Sequence, residues 1–413
     1  MNESFTAVEI CAGAGGQVLG LHQAGFKHEV AVEFDSNACT TLRHNDITPV
    51  AEGDVADSSV WDPRDYEGVS LLAGGVPCPP FTIAGKQLGA NDERDLFAWS
   101  VEQVDKVRPR ALLLENVRGL SMPRFAGYRQ HVLDRLADSG YVGEWQLLQA
   151  SDFAVPQLRP RFVLVALKPE DAEFFHWPKP DKFDPAPTVG QALFDLMGDW
   201  KGADDWKGHA DKIAPTIVGG SKKHGGADLG PTRAKRAWAQ MHVDAMGVAD
   251  APPARDDEFA IGPKLTCDMV QVLQGFEGRY DWSFTGRKTS RYRQIGNAFP
   301  PPVAHAVGNA ILKAFRREGP RREIRPSAQD PVYRALAEAN DFLSAAKLTR
   351  LAGTTMGTSQ LERHISMLSK DFDIEVATRG QTTKYKLGSF NAFVGQEAHS
   401  RHEAFLKNRA KIS

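Results

Sequence analysis

Cysteine is scarce, with four residues in 413, at positions 11, 39, 78 and 267, and none of them forms a Cys-x-x-Cys pair. That argues against a disulfide framework and against a metal site of the usual ligand spacing. No metal is expected, and each thiol has to be judged by its own surroundings. Long apolar runs are absent: nothing approaches the roughly 18 residues that a transmembrane helix needs. The opening MNESFTAVEICAGAGG lacks a basic segment followed by an apolar one. A secretory leader is therefore not expected, and the chain is placed in the cytoplasm with no membrane partner. Net charge is nearly absent too, at −2 from 50 Lys and Arg against 52 Asp and Glu, which speaks against a partner held by bulk positive charge. Apolar and charged residues are not lacking. At 42% and 25% they exclude a disordered or collagen-like chain, and the length suggests two or three domains.

The charge is unevenly spread. From Lys313 onward there are 18 Lys and Arg against 11 Asp and Glu, a net of +7, so residues 1–312 carry −9. Such asymmetry suggests an anionic partner for part of the chain. The first 168 residues alternate strands and helices. Strands are expected at Phe5–Ile10, Val30–Phe34, Val69–Gly74, Ala111–Glu115 and Phe162–Leu167, and helices at Gln17–Ala24, Leu96–Val107 and Tyr128–Leu136. Alternation of this kind implies an α/β, doubly wound, mostly parallel sheet covered on both faces. From Pro169 to about Gly262 the chain is rich in Gly, Pro and Trp, with eight Lys and Arg between Lys201 and Arg236, and it reads as a smaller, loop-rich domain with a basic surface. Periodicity returns at Leu265–Gly275 and Pro302–Phe315, a charged linker follows at 316–326, and 327–413 forms a further domain.

Several short segments carry chemistry. Ala12–Gly16 is a Gly-rich turn after the first strand, suited to close approach of a ligand at a helix N-terminus. Glu33 ends the second strand, where a carboxylate can accept from ribose hydroxyls, and Asp54 follows in Gly53-Asp54-Val55. Together they suggest an adenosine-containing cofactor, although Gly turns and acidic strand ends are common in doubly wound folds. Cys78 sits among Pro77, Pro79 and Pro80 just past a buried strand, in a loop whose prolines fix the thiol. A lone cysteine is usually a small buried hydrophobe; at the ligand edge of a parallel sheet it is a candidate nucleophile. Glu115 ends the neighbouring strand in Glu115-Asn116-Val117, Gln157–Arg161 offers two guanidiniums, and Tyr292–Pro301 reads as a polar turn closing on prolines.

Taken in order, these segments resemble the DNA (cytosine-5)-methyltransferase family, most of all the bacterial type II restriction–modification methylases. The resemblance spans roughly residues 4–315: ICAGAGG at 10–16, Glu33, GDV at 53–55, PCPPF at 77–81, ENV at 115–117, QLRPR at 157–161, KLT and LQGF between 264 and 276, and RQIGNAFPP at 293–301. It implies a Rossmann-like, S-adenosylmethionine-dependent methyltransferase fold. Residues 1–168, completed by 263–315, would form the catalytic domain, and 169–262 the target-recognition domain. Cytosine C5 is a poor nucleophile; a thiolate added at C6 makes it enamine-like and able to attack a methyl sulfonium. By resemblance Cys78 is that thiolate, Glu115 holds N3 and the exocyclic amine, and Arg161 with Arg159 binds the O2 carbonyl. The cofactor would lie on Cys11, Ala12, Gly13, Gly15 and Phe34, with Glu33 at the ribose, Asp54 and Val55 at the adenine, and Pro77, Leu96, Asn297 and Ala298 completing the pocket. Cys11 stands where the family usually has Phe, Glu9 where it has Asp, and Phe299 where it has Val.

The resemblance also implies double-stranded DNA as partner, a cognate restriction endonuclease as functional companion, and a monomer. Lys222, Lys223, Arg233 and Arg236 are the candidates for DNA contact, most such charges serving to position rather than to specify. Ala214–Ile217 resembles the family's Thr-plus-aliphatic mark. In the tail, a helix is expected at Leu336–Leu351, a turn at Gly353–Gly357, a helix capped by Thr358 or Ser359, and a hairpin from Ile374–Thr378 and Thr383–Leu387, a pattern resembling a winged helix. Two alternatives remain at this level: a tRNA cytosine-5 methyltransferase, and a DNA-binding transcriptional regulator acting through the C-terminal domain.

Overall fold

The computed structural model describes residues 4–76, 94–180, 185–220, 227–324, 329–379 and 382–390. Its centre is a seven-stranded sheet built from β1 (Phe5–Ile10), β2 (Phe26–Glu33), β3 (Val50–Glu52), β4 (Leu71–Gly74), β5 (Ala111–Val117), β6 (Val142–Gln149) and β7 (Pro160–Leu167). They lie in the order β3-β2-β1-β4-β5-β7-β6. The first five are parallel, while β7 runs antiparallel between β5 and β6. Central strands such as Ala111–Leu114 are apolar without alternation because both faces are covered. One face packs Phe5, Ala7, Ala73 and Leu113 under α1 (Gly16–Ala24) and the helix Pro301–Phe315. The other packs Val8, Ile10, Leu72 and Leu114 under the helices Arg94–Glu102 and Ala126–Asp138.

All five expected strands are present, β2 beginning earlier than expected at Phe26. Two strands and one helix were not expected. β3 has three residues, and β6 is an edge strand that is mostly half-exposed, so neither carries a hydrophobic signal. The helix α2 (Ser36–Asn45) starts from Asp35, whose carboxylate accepts from the Asn37 and Ala38 amides. The expected helix Leu96–Val107 is divided at Gln103, whose side-chain amide turns back to the Trp99 carbonyl.

Beyond Leu167 the chain leaves the sheet. The helices Val189–Leu193, Ala203–His209 and Thr232–Ala239 are short, in keeping with a loop-rich region. Buried residues of this region, including Leu193, Trp206, Ile217 and Trp238, form one cluster with Met269, Tyr292 and Ile295 and with Ala14, Val18 and Leu42 of the sheet domain. The region therefore shares a core with the sheet domain. Its linker is also pinned: Arg321 makes a two-pronged contact with Glu173, at 2.7 Å for each prong.

The tail folds as helix Pro331–Ala339, β8 (Leu343–Ser344), helices Ala345–Leu351 and Thr358–Leu368, then β9 (Phe372–Arg379) and β10 (Thr382–Phe390). The three strands form an antiparallel sheet in the order β8-β10-β9. The expected single helix Leu336–Leu351 is corrected to two. Asn340 takes a left-handed conformation (φ 44°) that ends the first, and Ser344 caps the second. The expected cap at Thr358 or Ser359 shifts to Gly357, Thr358 being the first helical residue. The expected hairpin is present, with Val376 opposite Tyr385.

This tail is packed against the helix Ala126–Asp138. The His131 ring lies 4.2 Å from that of Phe390, and its Nδ1 is 3.0 Å from the Tyr333 hydroxyl. Burial, then the Arg135 charge, pushes the His131 imidazole down to about 4. Among the described residues no helix is long and apolar enough to cross a membrane.

Candidate active site

The parallel strands bring their C-terminal ends to one edge, and there the chain turns sharply after β1. Cys11, Gly13 and Gly15 all have positive φ, at 51°, 55° and 90°. Gly15 is doubly constrained, since a Cβ there would also lie 2.6 Å from the Trp282 ring. The Trp282 indole N–H donates to the Ala14 carbonyl at 2.9 Å, so this residue roofs the turn from the far end of the chain. Nothing lies within 4 Å of the Cβ position on Gly13, which leaves an open cradle at that point.

Glu33 joins three strand ends. Its Oε2 accepts from the Gly13 amide at 2.6 Å and its Oε1 from the Asp35 amide at 2.7 Å, while its carbonyl receives the Gly53 amide. Burial pushes its carboxyl up, and the Asp35 and Gly13 amides pull the other way. Phe34 beside it is 41% exposed. Asp54 holds the Ala56 amide, and Val55 is buried below. The neighbouring Cys39 thiol is pushed up to about 12, first by burial and then by Glu33, which makes it a packing group. Leu96 is half-buried against the opposite face, and Ala298 packs against Gly16. Asn297 turns toward the recognition region instead, donating to the Gly220 carbonyl at 3.3 Å.

The antiparallel ladder between β5 and β7 sets the second half of the site. Val117 faces Arg161 and Glu115 faces Val163, so the Glu115 and Arg161 side chains emerge on the same face one diagonal step apart. Arg161 Nε lies 2.5 Å from Glu115 Oε1, with side chains 11% and 13% exposed. Burial lowers the Arg161 guanidinium and Glu115 opposes that shift. Asn116 points to the other face and donates to the Val76 carbonyl at 3.4 Å. The chain reaches position 75 beside these groups: a Cβ on Gly75 would lie 3.5 Å from the Cys11 carbonyl and 3.7 Å from Glu115 Oε2. Pro77 and Cys78 lie outside the described residues, as do Lys222 and Lys223.

The two arginines of Gln157–Arg161 are placed differently. Arg159 is buried and directs its guanidinium to three carbonyls, those of Ile217 (2.8 Å), Gly296 (2.9 Å) and Ala298 (3.0 Å). Gln157 receives the Ile217 amide and donates to Leu273 and Gln274. The Ala214–Ile217 segment runs alongside, its Ala214 amide and carbonyl paired with Pro156 and Leu158. The expected polar turn at Tyr292–Pro301 is corrected. Through Asn297 it is the end of a helix, Lys288–Asn297, and only Ala298–Pro300 form the connection, because Pro300 and Pro301 supply no amide to continue the helix. Arg233 and Arg236 are exposed one helical turn apart, whereas Lys235 between them is held by Asp228 at 2.8 Å.

The model of the C-5 cytosine-specific DNA methylase family matches residues 5–313. The Type II methyltransferase M.NaeI of Lentzea aerocolonigenes is 62% identical over 415 residues, covering 100% of both chains. M.NgoMIV of Neisseria gonorrhoeae is 49% identical over 320 residues, which is 76% of this chain and 99% of its own. Among solved structures, a mutant of Spodoptera frugiperda DNMT2 aligns with a TM-score of 0.52 at 17% identity over 75% of this chain and 100% of that one. The Entamoeba histolytica methyltransferase EhMeth does so at 0.51 and 12%, over 76% and 99%. At such identities the likeness speaks for the fold alone.

Proposed function

The chain belongs to the C-5 cytosine-specific DNA methylase family, and from that premise we propose how its residues divide the reaction. It is a DNA cytosine-5 methyltransferase of the type II restriction–modification class, acting on DNA. The observation that carries the residue-level reading is the Glu115–Arg161 pair, held beside Gly75 at the start of the Cys78 loop and next to the Gly-rich turn.

S-adenosylmethionine, when bound, supplies a methyl group on a sulfonium. The residues fit it: the open cradle at Gly13 would take the methionine end, Glu33 the ribose hydroxyls, exposed Phe34 and the Asp54–Val55 turn the adenine, and Ala298 would close the wall. The target cytosine is flipped out of the duplex at a cost of a few kcal/mol. The Cys78 thiolate then adds at C6. Glu115 gives a proton to N3 and accepts from the exocyclic amine, and Arg161 holds both Glu115 and the O2 carbonyl, so charge pushed into the ring meets fixed donors. After C5 is methylated a base takes its proton and the thiolate is expelled, restoring the C5–C6 double bond. Arg159 acts at one remove, by keeping the segments at 217 and 296–298 in place.

Transfer of tritiated methyl groups tests this reading. Wild type is expected to label duplex DNA and not tRNA, and Cys78→Ser to label neither. Equal labelling by both proteins would remove Cys78 from the reaction, and labelling of tRNA alone would replace the substrate.

The exposed pair Arg233 and Arg236, with Lys222 and Lys223, meets the DNA. The tail is a winged-helix-like DNA-binding module, supported by its order of helix, strand, two helices and hairpin and by a net +3 over residues 327–413, continuous with the +4 of residues 313–326. It lies beyond the family match, which ends at 313. Deleting 327–413 is expected to weaken DNA binding and to flatten its dependence on salt, measured as the slope of log K against log salt. An unchanged slope would make the tail a packing domain. A cytoplasmic monomer working beside a cognate endonuclease completes the proposal.

A further inference from the structure

One buried polar group at this site has no role in the scheme above. Gln17 lies in the first turn of α1 and is 3% exposed, yet neither its Nε2 nor its Oε1 has a hydrogen-bond partner. An unpaired amide inside a protein is costly, and a helix position of this kind is satisfied as well by an apolar residue. Its direction is informative. A Cβ built on Gly75 would lie 4.0 Å from Gln17 Oε1 and 3.7 Å from Glu115 Oε2, so the amide and the carboxylate both border the gap that the missing side chain of Gly75 leaves. The two oxygens of Glu115 differ, because its Oε1 is taken by Arg161 at 2.5 Å and its Oε2 is the oxygen that borders the Gly75 gap.

We propose that Gln17 is a positioning residue for Glu115: with cytosine seated, its amide N–H donates across the Gly75 gap to Glu115 Oε2, directly or through one water. The two ends of the amide exchange by half a turn about its last torsion, so the donor reaches the gap without movement of α1. Each carboxylate oxygen has two lone pairs. One oxygen shared with Arg161 and the other with Gln17 still leaves capacity to accept from the exocyclic amine and to share a proton with N3, and the carboxyl plane is held at both ends. The proposal rests on the reading of Glu115 as the group that holds the cytosine ring.

The test is Gln17→Met, which keeps length and apolar volume and removes only the amide. The expected result is a single-turnover methyl-transfer rate on duplex DNA lowered about tenfold, with KM for DNA unchanged and Tm equal to or above wild type. Gly75→Ala should reproduce the rate loss, because its methyl group enters the gap at ordinary contact distances. A wild-type single-turnover rate in Gln17→Met would overturn the proposal. So would a loss of rate matched by a loss of Tm, which would make Gln17 a packing residue. Failure of the underlying reading looks different: Glu115→Gln would then transfer methyl groups as wild type does, whatever Gln17→Met showed.

Discussion

Replacing Arg161 by Leu is expected to lower methyl transfer by about 10²- to 10³-fold, the usual loss when one preorganised donor is removed from a site of developing charge. The same change should destabilise the protein by about 3–5 kcal/mol, because it leaves the Glu115 carboxylate buried without its counter-ion. The two effects are separable. Adding Glu115→Gln to Arg161→Leu removes the stranded charge, so urea unfolding should return toward wild type while methyl transfer stays lost. If stability did not recover in the double variant, the pair would not be coupled as the 2.5 Å contact implies. If activity survived in Arg161→Leu, charge on the cytosine ring would be met by some other group.

Arg159 is expected to behave in the opposite way. Three carbonyls from two distant segments depend on its guanidinium, and burial and the nearby Arg161 charge both push its pKa down. Arg159→Leu leaves the Ile217, Gly296 and Ala298 carbonyls without that donor, at about 1–3 kcal/mol for each one left unpaired. The variant should unfold at a much lower urea concentration or fail to accumulate. Its specific activity per folded molecule, measured at low temperature, should fall far less than that of Arg161→Leu. Arg159→Lys should rescue little, because an ammonium on a flexible stem does not reproduce a planar fork aimed at three oxygens. Full stability in Arg159→Lys would show that charge, not geometry, holds these segments.

The contrast between these two arginines marks the limit of what the sequence makes legible. Gln157–Arg161 is readable as a motif, and both arginines look equivalent there. Their roles separate only through the strand register, which turns Arg161 toward Glu115, and through carbonyls 58 and 137 residues away that engage Arg159. The strand-end acids are readable because a parallel sheet collects its C-terminal ends on one edge, so Glu33, Asp54 and Glu115 could be placed from order alone. Trp282 could not. Nothing local distinguishes it from the other tryptophans, and its function depends on meeting Ala14 and Gly15 across the fold. Gln17 was invisible for a related reason, since an amide in a helix reads as solvated until its burial is known. In the tail, the break at Asn340 was missed because flanking apolar residues kept helical spacing on both sides. A left-handed Asn followed by Asp341 overrides that pattern.

The position of Trp282 and of the helix Pro301–Phe315 has a consequence for how the chain is made. Ribosomes deliver β1 and the Gly-rich turn first, but the indole that roofs the turn comes about 270 residues later. The helix that covers α1 comes later still; there Gly20 fits so closely that a Cβ would lie 2.5 Å from that of Ala304. At ~5–20 residues per second, that face of the nascent sheet waits roughly 15–60 seconds for its partner. During that interval the apolar residues Phe5, Ala7, Leu21 and Leu113 have no cover from the C-terminal side. Residues 1–168 therefore cannot by themselves complete the packing of this face. A chain ending before residue 301 is expected to aggregate, which the soluble yield of a 1–300 truncation measures.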